Sequence, residues 1–245
     1  MLKRRLFLLL AVLLPLLGFA QAKSVPYFSQ IGGTSKLDAD WTVYNVNGDE
    51  KTWINDASSS SNYSSISAVK VTAGAKYLYN TNADANDWLV SPAIHLEADK
   101  EYKVSFYVKT SGSFKESLRL AVANANTADA MATKSETLLD FPELTEKTFV
   151  KKSVVYVARE SGDYYFGLYE YSKKDLYNVF VTAFSVAENI TTPAPVTGLT
   201  ATEGANEAIT VDLNWTLPTK DEDGNDLTTP LTGVEVYRDG TLVKT

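Results

Sequence analysis

The chain has 245 residues, of which 44% are hydrophobic and 22% are charged, a balance typical of globular rather than disordered proteins. Its formal net charge is -7, so nucleic acid, an extended polyanion, is not expected as a partner. The chain contains no cysteine and a single histidine. This composition excludes disulfide bonds, Cys/His catalytic dyads and zinc sites that need several histidines.

Residues 1–22 have the pattern of a secretory signal peptide. Lys3, Arg4 and Arg5 precede an apolar run from Leu6 to Phe19, and Ala20-Gln21-Ala22 has the form of a cleavage site. The apolar run is shorter than the roughly 18 to 20 residues that span a bilayer. We therefore predict that residues 1–22 are removed. The remaining chain is expected to be secreted or held at the cell surface, with no membrane insertion.

Residues 23–188 are dominated by a period of two. In Tyr102 to Lys109, apolar and polar side chains alternate, which is typical of a half-buried strand. The alternation recurs in Leu118, Leu120 and Val122, in Tyr164, Phe166 and Leu168, and in Phe180, Thr182, Phe184 and Val186. Residues 121–139 are rich in Ala, Thr and Asn and are interpreted as a connection with one helical turn. Short strands separated by glycine-bearing turns predict an all-β sandwich.

The alternating pattern ends before residues 189–195, which contain Pro193 and Pro195. We interpret this segment as a linker, because proline cannot serve a central strand. Residues 196–245 then resemble the opening strands of a fibronectin type III domain. The resemblance rests on Gly198-Leu199-Thr200-Ala201, Asn214-Trp215 with Pro218, and Val236-Tyr237-Arg238-Asp239-Gly240. It implies a partial immunoglobulin-like sandwich, with the remaining strands expected beyond Thr245, that acts as a spacer.

Residues 24–186 resemble the cleaved-adhesin or choice-of-anchor J modules, MAM-like jelly rolls of exported Bacteroidetes proteins. The matching segments are Trp41-Thr42-Val43, Asn47-Gly48-Asp49, Thr52-Trp53, Asn86 to Leu96 and Tyr102 to Phe106. The resemblance implies a jelly-roll β-sandwich used for adhesion, or as a non-catalytic accessory domain beside a protease or glycoside hydrolase. Family members often carry acidic residues at the positions of Asn45 and Asn47, and an Asp pair at those of Thr182 and Ala183, which puts calcium binding in doubt.

Calcium is the one cofactor that the residues themselves suggest. Asn45, Asn47, Asp49 and Glu50 offer closely spaced oxygen ligands of the hard type that Ca²⁺ prefers. The alternative is a tight turn in which Asn and Asp side chains bond to their own backbone. Both interpretations remain open at this stage.

Aromatic residues suggest a ligand surface for a glycan or an extracellular protein. Trp41 and Trp53 lie early in the module, while Tyr165, Tyr169 and Tyr171 lie on the strand face opposite Tyr164, Phe166 and Leu168. Exposed rings of this kind stack on sugars, whereas most large aromatic residues belong to the core. The sequence thus predicts a binding module rather than an enzyme. A spacer without any ligand is the third interpretation.

Overall fold

The computed structural model describes residues 21–57, 63, 65, 66, 68–112, 114–190, 192–204, 210–222, 224, 226, 227, 231 and 233–244. The predicted signal peptide therefore lies almost wholly outside the described residues. The chain divides into two compact units, Met1–Glu188 and Asn189–Thr245. Within the described ranges, no helix is long and apolar enough to cross a bilayer.

In its described residues the first unit has twelve strands and, between the eighth and the ninth, a short helix. They are β1 (Tyr27–Ser29), β2 (Thr42–Asn45), β3 (Trp53–Asp56), β4 (Gly74–Tyr77), β5 (Asp87–Val90), β6 (Ile94–Leu96), β7 (Glu101–Thr110), β8 (Glu116–Ala123), α1 (Ala128–Thr133), β9 (Glu136–Leu144), β10 (Val150–Val157), β11 (Gly162–Glu170) and β12 (Val179–Glu188).

These strands form two antiparallel sheets. The first sheet has the order β10-β7-β12-β4-β3, with β1 paired to β12. The second sheet has the order β2-β5-β11-β8-β9, with β6 paired to β11. Alternate side chains of β7 are buried, as the period of two predicts. The ring of Phe184 packs edge-on against Trp41, with centroids 5.3 Å apart, and lies 5.8 Å from the ring of Phe166. The predicted all-β sandwich is confirmed.

Strand β12 departs from the predicted alternation because it contains a β-bulge. The pairing register between β12 and β7 shifts between Thr182 and Ser185, and Ala183 has a φ of 52°. An extra residue reverses the direction of every side chain before it. Val181 is therefore buried on the core side together with Phe184, and Phe180 faces outward. The prediction that Phe180 shares a face with Phe184 is wrong.

The predicted connection 121–139 is shorter than expected. Its one helical turn is α1, which Thr127 caps by accepting a hydrogen bond from the backbone N–H of Ala130 at 3.1 Å. The residues on either side of the helix belong to β8 and β9. Alanine has a low strand propensity, but pairing with β11 overrides it at Ala121 and Ala123.

The described strands of the second unit form two antiparallel pairs. Strands β13 (Thr197–Glu203) and β14 (Val211–Thr216) pair with each other, as do β15 (Val236–Arg238) and β16 (Thr241–Lys244). Large apolar side chains on them, including Leu199, Val211 and Tyr237, are exposed. An isolated two-stranded sheet is marginally stable in water, so apolar residues of this kind call for a further packing partner. The fibronectin type III assignment stays a prediction.

Candidate functional site

Two of the predicted ligand-binding aromatics are core residues. Trp41 and Trp53 are 6% and 2% exposed. The indole N–H of Trp41 donates to the hydroxyl of Ser29 at 3.2 Å, and the Trp53 ring packs against Tyr77 with centroids 5.7 Å apart. Neither ring is available to a ligand at the surface, because both fill the space between the sheets. The expectation that Trp41 and Trp53 bind a ligand is therefore corrected.

The other predicted aromatics lie on the outer face of the second sheet. Tyr169 is opposite Trp88 on β5, and their rings stack with centroids 4.4 Å apart. The ring of Tyr171 continues the stack at 5.5 Å from Tyr169. We call Trp88, Tyr169, Tyr171, Arg119 and Asp140 the outer row. Within this row Trp88 is buried, in a cluster on the outer face rather than in the sandwich core, and both tyrosines are half-buried. The stacked rings cover one another, so the row offers ring edges and polar groups rather than free faces.

Polar groups complete the outer row. The guanidinium of Arg119 lies 5.2 Å from the centre of the Tyr171 ring and 3.3 Å from Asp140. The hydroxyl of Tyr171 donates to Asp140 at 2.5 Å. Partial burial alone would raise the pKa of Asp140, but the hydrogen bonds from Tyr171 and Arg119 outweigh it and lower the pKa. Burial, together with the Asp140 carboxylate, raises the pKa of Tyr171 to about 12. The row thus combines a fixed anion with a fixed cation.

Helix α1 covers the middle of the same outer face. Met131 packs with Trp88 and Val90 in one buried cluster, and the half-buried rings of Tyr44 and Tyr165 border it. Tyr44 donates its hydroxyl to the backbone oxygen of Asn126 at 2.7 Å, which fastens the loop before the helix to β2. Tyr165, predicted to line an open surface, instead borders this covered patch. The open part of the face is the end that carries Tyr169 and Tyr171.

Gly167 on β11 permits the close approach of α1. A Cβ at this position would lie 2.7 Å from the Trp88 ring and 2.8 Å from the sulfur of Met131. Gly167→Ala is therefore expected to lower the free energy of unfolding by about 1–3 kcal/mol, measured by urea denaturation. Gly162→Ala on the same strand is the control, because a Cβ there meets nothing within 4 Å. Equal losses for the two variants would contradict the proposed packing of α1.

A second aromatic group lies in the loops that join the strands. The ring of Tyr177 is stacked between Phe114, at 4.8 Å, and Tyr79, at 5.3 Å, with interplanar angles of 14° and 18°. Phe114 and Tyr177 are each 41% exposed. We call these three residues the loop-end stack. Because its neighbours cover both faces of the Tyr177 ring, the ring face that a ligand can reach in this stack is that of Phe114, at its end.

Hydrogen bonds to a buried carboxylate and to a neighbouring loop hold the loop of Tyr177 in place. Glu116, which is fully buried, accepts a hydrogen bond from the backbone N–H of Tyr177 at 2.6 Å. Ser111 and Asn178 exchange two further bonds, of 2.9 and 3.1 Å, between neighbouring loops. An aromatic ring in an exposed loop is useful for binding only if its backbone is fixed, because ordering it on binding costs free energy.

Phe114 and Tyr177 are not among the residues that the sequence predicts to bind a ligand. The available signal is their context: Phe114 follows the polar turn Ser111-Gly112-Ser113, and Tyr177 follows Lys173-Lys174-Asp175. An aromatic residue within a polar turn has no strand face on which to be buried, which favours exposure. The local sequence can therefore predict that each ring is exposed, but only the fold brings Phe114 and Tyr177 into contact.

The residues predicted to hold calcium form a hydrogen-bonded turn. Asn45 accepts the backbone N–H of Gly48 at 2.8 Å, and Asp49 accepts that of Lys51 at 2.7 Å. The side-chain amide of Asn47 donates to the backbone oxygen of Asp84 at 2.9 Å, and Glu50 is exposed. Among the described residues, no three His, Cys, Asp or Glu side chains are grouped so that they could hold a metal. The geometry matches the turn, and calcium binding stays a prediction.

Comparison with known proteins places the first unit in a family. A family model, the Cleaved Adhesin Domain, matches residues 29–183. The K1 cleaved adhesin domain of Lys-gingipain from Porphyromonas gingivalis W83 is similar with a TM-score of 0.51 at 14% identity, over 67% of this chain and 99% of that one. The K2 domain of Lys-gingipain gives 0.51 at 13% identity, over 67% and 99%. No curated protein sequence matches the chain.

At these identities the structural likeness shows the shared fold and not the ligand. The sandwich geometry and the match of the family model agree on the same segment, from the end of β1 into β12. Because the matched segment is more than half of the sequence, the protein belongs to the cleaved adhesin domain family.

Proposed function

We propose that the protein is exported and that its first unit is a non-catalytic adhesion module that binds a glycan at the loop-end stack. The observation that carries this proposal is the exposure of Phe114 and Tyr177, each 41%, in a stack whose backbone is fixed. Aromatic rings pack on the apolar C–H faces of sugars, and exposed aromatic patches mark binding surfaces.

Polar groups lie on the same loops as the stack. Lys173 and Asp84 form an ion pair at 2.9 Å, and the side-chain amide of Asn80 donates to Asp49 at 2.9 Å. Sugar hydroxyl groups both donate and accept, so they pair with amides, carboxylates and ammonium groups alike. A ring platform bordered by such groups suits a glycan better than a purely apolar ligand.

The outer row is proposed as a separate contact surface. Its carboxylate and guanidinium are held by one another and by Tyr171, at 3.3 and 2.5 Å. Tyr and Arg are enriched in protein interfaces, and the outer row offers both with ring edges outward. This composition favours an extracellular or matrix protein as the second candidate ligand.

The test is a glycan array and a matrix-protein array probed with the full processed protein. The double variant Phe114→Ala/Tyr177→Ala is expected to lose about tenfold or more in affinity for any uncharged glycan that the parent protein binds. Its thermal midpoint should stay close to that of the parent, because exposed side chains contribute little to stability. A parent protein that binds no glycan overturns the proposal.

The matched control is Phe28→Ala. Phe28 is 51% exposed and lies on β1. Its replacement by alanine therefore removes an exposed ring and leaves the loop-end stack unchanged. Equal glycan affinity of the parent and the double variant would rule out the loop-end stack as the site. Tyr171→Phe, which deletes the hydroxyl bonded to Asp140, is expected to weaken only binding to a protein.

A further inference from the structure

The outer face of the first sheet carries a row of alternating lysine and phenylalanine residues. Across neighbouring strands, Phe180 on β12 lies opposite Lys76 on β4 and opposite Lys109 on β7. The ammonium groups of Lys76 and Lys109 are 5.8 and 4.8 Å from the centre of the Phe180 ring. Lys109 also lies 5.2 Å from the ring of Phe149, just before β10. We call Lys76, Phe180, Lys109 and Phe149 the lysine row.

The β-bulge at Ala183 creates this row. In an unbroken alternation Phe180 would share the core side with Phe184, and Val181 rather than an aromatic ring would face outward beside the two lysines. With the bulge, an aromatic ring lies between two cations on the outer face. Such contacts stabilise a cation over a ring by about 0.5–1 kcal/mol at exposed sites.

The row is positive on a protein with a formal net charge of -7. No ion-pair partner is seen for Lys76 within the described part of the chain, and the same holds for the exposed Lys151, whose neighbour across β7 is Tyr107. Lys109 is within electrostatic reach of Asp56, whose carboxylate accepts the hydroxyl of Tyr63 at 2.8 Å. Lys76 and Lys151 are thus available to anionic groups of a ligand, and Lys109 is available as well, because the Asp56 carboxylate is buried and already accepts a hydrogen bond from Tyr63.

The spacing of the row restricts the ligand. Lys76 and Lys109 are separated by two strand intervals, about 9–10 Å. A chain that meets both must present anionic groups at this interval and an apolar C–H surface between them, against the edge of the Phe180 ring, because the two lysines lie over the ring itself. Sugars that carry carboxylate or sulfate groups have this alternation. Double-stranded nucleic acid and anionic membranes present dense charge over a wide area, which the negative charge of the rest of the protein repels.

We propose that the lysine row binds an acidic polysaccharide, with the anionic groups on Lys76 and Lys109 and the sugar between them against the edge of the Phe180 ring. This surface is distinct from the loop-end stack and from the outer row, and its ligand differs from theirs in charge. The proposal therefore does not depend on the function proposed above.

The experiment measures binding of polygalacturonate to the full processed protein, with uncharged galactan as the neutral probe. The parent protein is expected to bind polygalacturonate, with an affinity that falls as salt rises, and to bind galactan at least about tenfold more weakly at this surface. Lys76→Gln/Lys109→Gln is expected to weaken polygalacturonate binding about five- to tenfold. Lys76→Gln alone gives a smaller loss and guards against misfolding of the double variant.

Lys100→Gln is the matched control, because it removes the same charge from a lysine that Glu97 and Glu188 already pair, at 3.1 and 2.9 Å. Phe114→Ala/Tyr177→Ala should keep full affinity for polygalacturonate, which separates this site from the loop-end stack. The proposal is overturned if Lys100→Gln loses as much as the double lysine variant. It is equally overturned if duplex DNA or phosphatidylserine vesicles bind as tightly as polygalacturonate.

Discussion

Trp53→Ala is expected to lower the free energy of unfolding by about 3–5 kcal/mol, which makes it the most damaging of the substitutions considered. The Trp53 side chain is 2% exposed and packs on Tyr77, and its indole N–H donates to the backbone oxygen of Asp87 at 3.4 Å. Truncation removes buried apolar surface and leaves a cavity that the two sheets cannot fully close. Urea denaturation followed by tryptophan and tyrosine fluorescence measures the loss.

Two further variants sharpen this result. Trp53→Phe keeps most of the ring volume and should cost less than the alanine variant. Phe114→Ala removes an exposed ring and is expected to change stability by about 0.5 kcal/mol or less. If Trp53→Ala were as stable as the parent but unable to bind a ligand, Trp53 would be a surface site after all, and its place in the core would be refuted.

Glu170→Gln is expected to raise stability near neutral pH and to flatten its dependence on pH. Glu170 is fully buried, and one of its two carboxylate oxygens has no hydrogen-bond partner. Burial holds the pKa of Glu170 well above its ordinary value, a hydrogen bond from Ser172 opposes this, and the charge of Glu116 reinforces it. Burial also raises the pKa values of Glu116 and Asp87, so the group resists ionisation as a whole.

The direction of the pH effect follows from proton linkage. Between its unfolded pKa, near 4.3, and its raised folded pKa, Glu170 binds more protons in the native state than in the unfolded state. The free energy of unfolding of the parent should therefore fall as pH rises from about 4.5 towards neutrality. Glutamine does not ionise and so avoids this cost, which is about 1.4 kcal/mol for each unit by which the folded pKa exceeds the unfolded one; the variant is therefore expected to gain about 1 kcal/mol or more at pH 7.

Thermal denaturation of both proteins between pH 4.5 and 8 tests this prediction. The difference between parent and variant isolates Glu170, because carboxyl groups with lowered pKa values, such as Asp84 and Asp140, act equally in both. Glu143→Gln is the control: its exposed side chain pairs with Lys115 at the surface, and the variant changes the net charge by the same amount. A parent that gains stability towards neutral pH relative to Glu170→Gln would refute the assignment.

The buried carboxylates also connect the core to the loop-end stack. Glu170 accepts hydrogen bonds from the backbone N–H and the hydroxyl of Ser172, and that hydroxyl accepts the backbone N–H of Ser117 at 2.7 Å. Ser172 then accepts the backbone N–H of Ala85 through its carbonyl at 2.9 Å. The loops that carry Tyr177 and Tyr79 are thus connected by hydrogen bonds to the buried carboxyl group of Glu170.

The sequence by itself determined the all-β sandwich of the first unit. Alternation in Tyr102 to Lys109 and in Tyr164 to Leu168 reports which side chains face the core, and this information is local to each strand. The segment Asn86 to Leu96 likewise carries the family resemblance, and the family model matches the surrounding residues. A tight turn around Asn45 and Asp49 was one of two interpretations that the sequence offered, because Asn and Asp side chains bond to backbone groups a few residues away.

The tertiary structure alone decided which aromatic residues reach the surface. Trp41 and Trp53 face another sheet, Tyr165 borders the patch beneath α1, and Tyr177 meets a ring more than sixty residues away in Phe114. The bulge at Ala183 turns Phe180 outward because one extra residue reverses the alternation, and no local propensity marks its position. Contacts between residues distant in sequence therefore determine which side chains form the candidate sites, while the pattern within each strand determines the all-β fold.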